Sequence, residues 1–339
     1  MKKDPQKPTT LKDVAKAAQV DVSTVSRVLQ NKGRVGDETR QRILDTVKRL
    51  GYQANPAARA LKTSKSSTIL MVVPQIENPI FASTIISAEI EARRIGYTLV
   101  VAYDGGGMGS DIIRDISRSN LIEGVIIASF DDDDKLRQTL ASTDRPHVII
   151  NRVLPGDQNC IAIDTYEATR IGVQHLIDLG HRRIGHLAGR LGRFNGEMRR
   201  RGWADSMKSA GIEPESCLVA EAAYDPDMVP NAVDALLRAD VTAIHAATLL
   251  TGAAAIARLH AVGKRIPDDV SVVTLHDDLL ARVVFPQIST VELPADEMGK
   301  KAVQRLRSLI EGETDAFEGP LLLAPGSLIQ RSSTIKSNS

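Results

Sequence analysis

The chain has little of several residue types on which whole classes of protein depend. It has two cysteines in 339 residues, Cys160 and Cys217, which are too few for a disulfide framework and fit a reducing cytoplasm. No apolar run approaches the roughly 18 residues that span a bilayer. The opening stretch, MKKDPQKPTT, is charged and lacks the apolar core of a signal peptide. These absences predict a cytoplasmic protein without a membrane segment.

Motifs for catalysis and metal binding are also missing. The seven histidines form no HExxH pattern, no CxxC pair occurs, and no GxSxG nucleophile elbow is present. The glycine-rich DGGGMGS at 104–110 lacks the lysine of a phosphate-binding loop, so we interpret it as a flexible loop. The DDDD run at 131–134 offers cation ligands but is more typical of an acidic surface turn. We therefore predict no enzyme activity, no metal and no cofactor.

The net charge of +1 conceals an uneven distribution along the chain. Residues 1–65 hold 15 Lys and Arg against 6 Asp and Glu, a net of +9, and the remaining residues hold 28 against 36, a net of −8. A small basic segment on a large acidic body indicates a module that binds a polyanion. The alternative is a basic disordered tail, against which the helical pattern of the segment argues.

Three short helices are predicted in the basic segment, with a tight turn at Gln19-Val20 between the first two. Thr10 with Asp13 caps the first, Asp21 caps the second, and Gly51 ends the third. Apolar residues at helical spacing predict the buried stripes: Leu11, Val14, Ala15 and Ala18; Val25, Val28 and Leu29; Ile43, Leu44, Val47 and Leu50. This arrangement is typical of a helix-turn-helix module.

The second helix carries an unusual polar face. Ser23, Arg27 and Gln30 lie opposite its buried stripe on a helical wheel, with Ser26 at the flank. Such a shallow face fits the major groove of DNA, where Arg27 can donate two hydrogen bonds to a guanine and the serines can contact bases or phosphates. The alternative is an ordinary solvated helix of a three-helix bundle.

Residues 9–64 resemble the headpiece and hinge of the LacI family of bacterial regulators, which includes the lactose and purine repressors. The resemblance is carried by LKDVA at 11–15, STVSRVL at 23–29 and LGY at 50–52, and Asp21 stands where the family usually has serine. In the family the start of the second helix reads bases, which here falls on Val22 and Ser23. The resemblance implies DNA contacts at Thr10, Leu11, Val22, Ser23, Thr24, Ser26, Arg27, Asn31, Tyr52, Asn55, Arg59, Leu61 and Lys62.

The segment 54–66 follows as a predicted hinge. Pro56 can begin a helix and the alanines after it favour one, although so short a helix is unstable without a partner. The resemblance implies that two hinge helices enter the minor groove and that Leu61 wedges between base pairs there. The alternative is a flexible linker.

From residue 67 apolar strands alternate with amphipathic helices. The predicted strands are TILMVV, TLVVAY, GVIIAS, HVII, IAID, RIGHLAG, CLVAE, AIHAAT and SVVTLH, and the predicted helices lie near 80–95, 110–121, 167–179, 198–210, 227–238, 250–262 and 295–311. This alternation predicts parallel sheets covered by helices. The resemblance extends over this part, and implies the family's periplasmic-binding-protein-like core of two lobes.

The predicted fold is therefore an all-α helix-turn-helix headpiece followed by an α/β core of two parallel-sheet lobes. The predicted domains are a DNA-binding domain at 1–53, the hinge at 54–66 and an effector-binding and dimerisation domain at 67–336. Within the last, lobe 1 holds 67–166 and 294–324, and lobe 2 holds 167–293 and 325–336. A ligand would bind between the lobes, at the carboxyl ends of strands.

The resemblance implies ligand contacts at Ile80, Phe81, Arg193, Arg199, Tyr224, Thr248 and His276. Thr248-Leu249 stands where the family commonly has Asn-Asp, and His276 stands where it has Asp. Because fewer carboxylates lie beside the two arginines, the cleft is expected to be more positive. We therefore predict an anionic effector, such as a sugar acid or a phosphorylated sugar, with a cleft that binds no effector as the alternative.

The resemblance as a whole implies a transcriptional regulator of the repressor type. Its partners would be double-stranded operator DNA with a pseudo-palindromic sequence, a small sugar-like effector that acts allosterically, and a second copy of the chain. The tail IQRSSTIKSNS has no apolar heptads, so we predict a dimer rather than a tetramer. The alternative is a sugar-binding or transport-receptor-like protein without a DNA role, against which the basic head argues.

Overall fold

The chain divides into two compact units, residues 1–66 and residues 67–339. The computed structural model describes residues 9–29, 34–52, 66–105, 109–117, 121–128, 132–143, 145–313 and 319–337. The first unit is helical and the second holds every strand of the described residues. None of the helices within these ranges has the length and apolar character to span a bilayer.

Within its described residues, 9–29, 34–52 and 66, the first unit has three helices: α1 (Leu11–Ala18), α2 (Val22–Leu29) and α3 (Asp37–Leu50). Thr10 and Asp13 form the predicted capping box, in which the Thr10 amide donates to the Asp13 carboxylate at 2.8 Å. Gln19 ends α1 in the left-handed conformation, with φ of 56°, and turns the chain toward α2. The buried core consists of Val14, Ala15, Ala18, Val25, Val28 and Ile43.

Two details of this unit differ from the sequence prediction. The carboxylate of Asp21 forms no hydrogen bond within the described residues, whereas the Asp21 carbonyl accepts from the Thr24 and Val25 amides at 2.9 and 3.2 Å. Leu44 is exposed, whereas Thr46 is buried because its hydroxyl donates to the Arg42 carbonyl at 2.8 Å. The apolar periodicity of α3 predicted its buried face to within one residue. It did not show that Leu44, at the edge of that face, is exposed.

The described part of the second unit contains two six-stranded sheets. The first has the order β11-β5-β4-β3-β1-β2 and is parallel throughout; the second has the order β12-β10-β9-β8-β6-β7 and is parallel except for the β10–β12 pair. The strands are β1 (Thr68–Val73), β2 (Thr98–Tyr103), β3 (Gly124–Ile127), β4 (His147–Ile150), β5 (Cys160–Ile163), β6 (Ile184–Ala188), β7 (Val219–Glu221), β8 (Ala243–Ala246), β9 (Ser271–Leu275), β10 (Ser289–Val291), β11 (Leu321–Leu323) and β12 (Leu328–Ile329).

Helices connect the parallel strands and cover both sheets. They are α4 (Pro79–Arg94), α5 (Gly109–Ser117), α6 (Asp133–Ala141), α7 (Thr165–Asp178), α8 (Phe194–Ser209), α9 (Val229–Arg238), α10 (Leu249–Ala261), α11 (Leu279–Val283) and α12 (Ala295–Glu311). We use lobe 1 for the first sheet with its helices and lobe 2 for the second. Fully buried strands such as β3, β5, β6, β8 and β9 explain the continuous apolar runs in the sequence.

The chain passes between the lobes three times. It crosses from β5 to α7, from β10 to α12 and from β11 to β12, so each lobe is built from separate stretches of sequence. Helix α12 packs directly on α4, and Gly299 permits this because a Cβ there would lie 2.3 Å from the Thr84 carbonyl oxygen. Helix α12 therefore lies against lobe 1 although the strand before it, β10, belongs to lobe 2.

The predicted fold class is confirmed, and the structure also contains several elements that were not predicted from the sequence. Strands β10, β11 and β12, of two or three residues, were not predicted. The acidic run was interpreted as a turn, but Asp132 caps α6 by accepting from the Lys135 amide at 2.8 Å, and Asp133 and Asp134 form the first helical turn. Carboxylates favour that position because they face the positive end of the helix dipole.

Candidate functional site

The first candidate surface is the outer face of α2. Ser23 and Arg27 are exposed, Thr24 and Ser26 are partly buried, and Val22 is exposed at the start of the helix. On the opposite side Val25 and Val28 are buried against α1 and α3. The packing therefore leaves a small polar face with one long cation, as a shallow reading surface requires.

The other predicted DNA contacts of the head have structural partners of their own. The Thr10 hydroxyl donates to the Asp13 carboxylate at 2.6 Å, and Leu11 and Tyr52 are partly buried against the helical core. Five further predicted contacts lie outside the described residues: Asn31, Asn55, Arg59, Leu61 and Lys62.

The second candidate site is a cavity of about 410 Å³ between the two lobes. All seven residues proposed from the sequence line it: Ile80, Phe81, Arg193, Arg199, Tyr224, Thr248 and His276. Ile80 and Phe81 lie in the first turn of α4, Arg193 caps α8, and Arg199 lies in the second turn of that helix. Tyr224, Thr248 and His276 follow the carboxyl ends of β7, β8 and β9. This is where open parallel sheets place their ligands.

Arg199 is the most buried cation of the cavity, with 4% of its surface exposed. Its Nη1 donates to the Tyr224 hydroxyl at 2.9 Å, and its guanidinium lies 5.6 Å from the centre of the Tyr224 ring. Its buried Nε has no hydrogen-bond partner within the described residues. Gly189 makes room for the tyrosine, because a Cβ at that glycine would lie 1.9 Å from the ring.

Three residues of the cavity wall adopt left-handed backbone conformations that L-residues seldom take. They are Asn151 with φ of 62°, Tyr224 with φ of 66° and His276 with φ of 76°. The Asn151 Oδ1 atom and both ring nitrogens of His276 are buried without a hydrogen-bond partner in the described part of the chain. Strained backbone and unsatisfied polar atoms at one place are typical of a binding site.

The charges of the wall are unequal. Among the described residues four arginines line the cavity, Arg152, Arg190, Arg193 and Arg199, and one carboxylate, that of Asp133, which forms an ion pair with Arg152. Burial lowers the pKa of His276, although Asp278, Asp277 and Asp296 oppose the shift, so its ring is neutral at pH 7. A neutral imidazole has one donor and one acceptor nitrogen and can bind a hydroxyl group.

The rest of the wall is apolar or already satisfied. Ile80 and Phe81 are buried in the lobe 1 core and also border the cavity. Thr248 caps α10 in a capping box with Thr251, which engages its hydroxyl. The wall therefore combines apolar contact area with a few convergent polar groups, as small-molecule sites do.

Two hydrogen bonds join the lobes at the edge of the cavity. Gln75 of lobe 1 donates from its side chain to the Tyr224 carbonyl at 3.2 Å, and the Asn195 side chain of lobe 2 donates to the Asn151 carbonyl. Tyr224 and Asn151 are wall residues, so a ligand that contacts them also affects the bridges. These two hydrogen bonds therefore couple the wall of the cavity to the relative position of the lobes.

Several wall residues were missed by sequence reasoning, among them Asn78, Asp133, Asn151, Arg152, Arg190 and Asn195. Asn151 and Arg152 follow the predicted strand HVII directly, so the rule that ligands bind at carboxyl strand ends could have found them. Asp133 could not be found, because its helix was not predicted. Within the described ranges no cluster of three or more His, Cys, Asp or Glu could hold a metal ion.

Comparison with known proteins covers both candidate sites. A family model described as bacterial regulatory proteins, lacI family, matches residues 10–55, and one described as a periplasmic binding protein-like domain matches residues 173–334. The HTH-type transcriptional regulator CelR of Thermobifida fusca is 33% identical over 315 residues, which are 90% of this chain and 93% of CelR.

Two solved structures of regulators are also similar to this chain. A transcriptional regulator CelR–cellobiose complex superposes with a TM-score of 0.74 at 30% identity, covering 96% of this chain and 99% of the other. A lac repressor dimer bound to operator and the anti-inducer ONPF superposes with a TM-score of 0.85 at 26% identity, covering 97% of this chain and 100% of the other.

Proposed function

The chain belongs to the lacI family of bacterial regulatory proteins, and we propose that it represses transcription as a homodimer on a pseudo-palindromic operator, under the control of a small sugar-like molecule bound between its lobes. The observation that carries this proposal is the combination, in one chain, of an exposed polar face on α2 and an interlobe cavity with unsatisfied buried polar atoms. Its relatives CelR and the lac repressor are both transcriptional regulators.

DNA reading is assigned to α2. Arg27 is the long cation of the exposed face, and a guanidinium can donate two parallel hydrogen bonds to the O6 and N7 atoms of guanine. Ser23 at the first turn and Ser26 at the flank are short enough to let the helix approach the bases. The basic charge of residues 1–65 supplies attraction to phosphates whatever the sequence.

The dimer is supported by apolar side chains that the second unit leaves exposed. Ile86 and Ile90 lie one turn apart on α4, with 60% and 61% of their surfaces exposed. In lobe 2, Leu279 and Val283 on α11 are exposed, and Phe285 after it is 84% exposed. Contiguous apolar patches of this kind mark interaction surfaces, and a second copy of the chain would cover the same patches on both molecules.

Control by ligand follows from the two bridges across the cavity. A ligand that binds Tyr224, Asn151 or their neighbours changes the free energy difference between arrangements of the lobes. Because the lobes belong to the same dimer as the DNA-reading heads, that change alters operator affinity. Linkage requires the reverse effect as well, so operator DNA changes ligand affinity by the same factor.

The direct test is selection of genomic fragments by the purified full-length protein at near-physiological salt, followed by sequencing. Salt is fixed because non-specific DNA binding falls steeply as salt rises. The expected result is enrichment of one inverted repeat, lost when Arg27 is replaced by alanine. Failure to enrich any sequence, both with protein alone and with added cell extract as a source of co-repressor, would contradict the proposal.

A further inference from the structure

We propose that Glu123 is a positioning residue for DNA binding, because its carboxylate holds Ser67, the first residue of lobe 1 after the predicted hinge, in the backbone conformation that operator binding requires. This inference rests on the proposed function of the chain and adds a residue that lies outside both candidate sites. Three observations carry it: the hydrogen bonds of Ser67, the conformation of its backbone, and the contacts that hold Glu123 itself.

Ser67 directly precedes β1 and is held from two sides. Its amide donates to Oε1 of Glu123 at 2.5 Å, and its carbonyl accepts from the Thr98 amide at 2.8 Å. Glu123 directly precedes β3 and Thr98 begins β2, so each of the two strands that flank β1 in the sheet supplies one of these bonds. We call Ser67, Glu123 and Thr98 the joint. Its hydrogen bonds fix the backbone of Ser67 relative to the first sheet.

The backbone of Ser67 has a left-handed conformation, with φ of 50°. Residues other than glycine seldom adopt this conformation, and they keep it only where their surroundings enforce it. The bond from Thr98 is made by main-chain atoms, so it does not depend on which side chain stands at position 98. The bond to Glu123 depends on a carboxylate side chain. Glu123 is therefore the part of the joint that the sequence encodes.

Glu123 is itself held in place. Its amide donates to the Thr68 carbonyl at 2.8 Å, and its second carboxylate oxygen, Oε2, accepts from the Tyr97 hydroxyl at 3.4 Å. Burial, with a smaller contribution from the charge of Glu123, raises the pKa of Tyr97 to about 12, so the hydroxyl keeps its proton and remains a donor. The carboxylate is thus directed at Ser67, and a charged acceptor makes a stronger bond to an amide than a neutral one does.

The place of the joint in the chain links it to DNA binding. Residues 1–66 form the DNA-reading unit, which is connected to the core by the peptide bond between Ser66 and Ser67. Rotation about one backbone bond changes the direction of all the chain that precedes it. The two heads of the proposed dimer must reach two half-sites together. If Ser67 adopted several conformations, only the fraction of molecules with the competent one would bind the operator, and the affinity would fall by that fraction.

Asp269 offers a matched control in lobe 2. Its Oδ2 accepts from the main-chain amide of Arg265 at 2.8 Å, so it makes the same kind of bond as Glu123. It lies in the turn before β9, which is remote in sequence from the hinge. Loss of this bond should therefore lower stability without changing the direction in which the chain leaves lobe 1.

The first test measures operator affinity and Tm on the full-length protein at one salt concentration, with the operator that genomic selection yields. Glu123→Ala is expected to weaken operator binding about ninefold, the result if each chain of the dimer keeps the competent conformation about a third of the time. Glu123→Gln is expected to stay within about twofold of wild type, because an amide oxygen accepts the same bond. Asp269→Ala is expected to lower the Tm at least as much as Glu123→Ala and to leave operator affinity unchanged.

The sign of the effect separates positioning from charge. Glu123→Ala and Glu123→Gln both remove a negative charge, and that change alone would strengthen the attraction between the protein and DNA phosphates. Weaker binding in Glu123→Ala with rescue in Glu123→Gln therefore cannot come from electrostatics. Equal changes of operator affinity in these two variants, or an equal loss in Asp269→Ala, would overturn the proposal.

The second test changes Ser67 and keeps Glu123. Valine is β-branched and strongly disfavours positive φ, whereas asparagine tolerates the left-handed conformation. Ser67→Val is therefore expected to weaken operator binding about as much as Glu123→Ala does, and Ser67→Asn is expected to bind nearly as wild type. Equal operator affinities of Ser67→Val and Ser67→Asn would contradict a role for the backbone conformation.

The third test examines the joint without DNA. Hydrogen exchange, measured by mass spectrometry on peptides that contain Ser67, is expected to be faster in Glu123→Ala than in wild type and unchanged in Glu123→Gln. Faster exchange combined with wild-type operator affinity would overturn the positioning role. Failure of the proposed function gives a different result: wild type then enriches no operator, although the difference in exchange between the variants persists.

Discussion

At the scale of single residues, Arg27 carries the most specific expectation about DNA. Its side chain is exposed on the face of α2 that lies opposite buried Val25 and Val28. Arg27→Ala should weaken operator binding by about 1–3 kcal/mol and relax the sequence requirement at one base pair per half-site. Binding constants on the selected operator and on its single-base variants, measured at one salt concentration, provide the check.

The control for Arg27 is Lys48→Ala, which removes an exposed cation from the last turn of α3. Its effect should be small and independent of sequence. Both variants should retain the wild-type Tm, since neither side chain is buried. If Arg27→Ala weakened binding to the operator and to unrelated DNA by the same factor, Arg27 would contact phosphate instead of a base.

Resemblance located the residues of the cavity, but it could not describe their physical state. The positions of Arg193 and Arg199 follow from matching one sequence to a family pattern. The burial of Arg199 and its hydrogen bond depend on Tyr224, which lies 25 residues away and is turned inward by a left-handed backbone. Backbone conformations of this kind leave no signal in the sequence unless a glycine marks them.

At the scale of elements, α4 has two faces with different roles. Its inner face crosses α12 at Gly299, where a Cβ would lie 2.2 Å from the Ser87 hydroxyl and 2.3 Å from the Thr84 carbonyl. Because one of these contacts is main chain, Gly299→Ala must separate the helices and should destabilise the protein by about 2 kcal/mol or more. Urea unfolding measures this, with exposed Lys300→Ala on the same helix as a control that should be neutral. Equal stability of the two variants would contradict the packing described.

The outer face of α4 gives a prediction about assembly. Replacing both Ile86 and Ile90 by glutamate places charges on a patch that a second copy is proposed to cover, and burying unpaired charges is unfavourable. The double variant should be a monomer by light scattering and should bind the operator more weakly than the dimer. Leu121→Glu, at an equally exposed apolar residue elsewhere in lobe 1, should remain a dimer. A double variant that kept the mass of two chains would exclude α4 from the interface.

The elements that sequence reasoning found are the long and periodic ones. The strands TILMVV and HVII and the helix at 295–311 were predicted with their observed bounds, since long apolar runs and a sustained helical stripe are strong signals. Strands β10, β11 and β12 have two or three residues and were missed, whereas the equally short β7 was predicted because it lies in the apolar stretch CLVAE. The missed strands form because the neighbouring strands offer unpaired edges, which is a property of the assembled sheet.

At the scale of the whole molecule, lobe 2 has a buried pair of histidines that links its stability to pH. Nδ1 of His186 and Nδ1 of His245 lie 3.2 Å apart, on neighbouring strands β6 and β8, and both rings are fully buried. Burial, with a smaller contribution from the charge of Arg199, lowers the pKa of His186 to about 3. Burial and the neighbouring His186 lower the pKa of His245 as well. The folded protein therefore keeps both rings neutral at pH values where the unfolded chain protonates them.

Lowering the pH should therefore destabilise the folded protein. Below a pH of about 6.5 the unfolded chain binds two protons that the folded pair does not, so the free energy of unfolding should fall as the pH is lowered, by about 2 kcal/mol for the pair between pH 6.5 and 5.5. Carboxylates with lowered pKa, such as Asp269 at about 2, lose their contribution only at lower pH. The measurement is urea unfolding of the full-length protein at several pH values in this window.

The slope of stability against pH, rather than stability itself, identifies the pair as the cause. Replacing both His186 and His245 by leucine should reduce the number of protons taken up on unfolding by about two. The slope should fall accordingly, whatever the change in packing does to the stability itself. His260→Gln, at an exposed histidine, should leave the slope as it is in wild type. An unchanged slope in the double variant would assign the acid sensitivity to His175, His181 or His276, whose pKa values burial also lowers. His276 belongs to the cavity wall, so in that case a ligand that changes the pKa of its ring would change the slope.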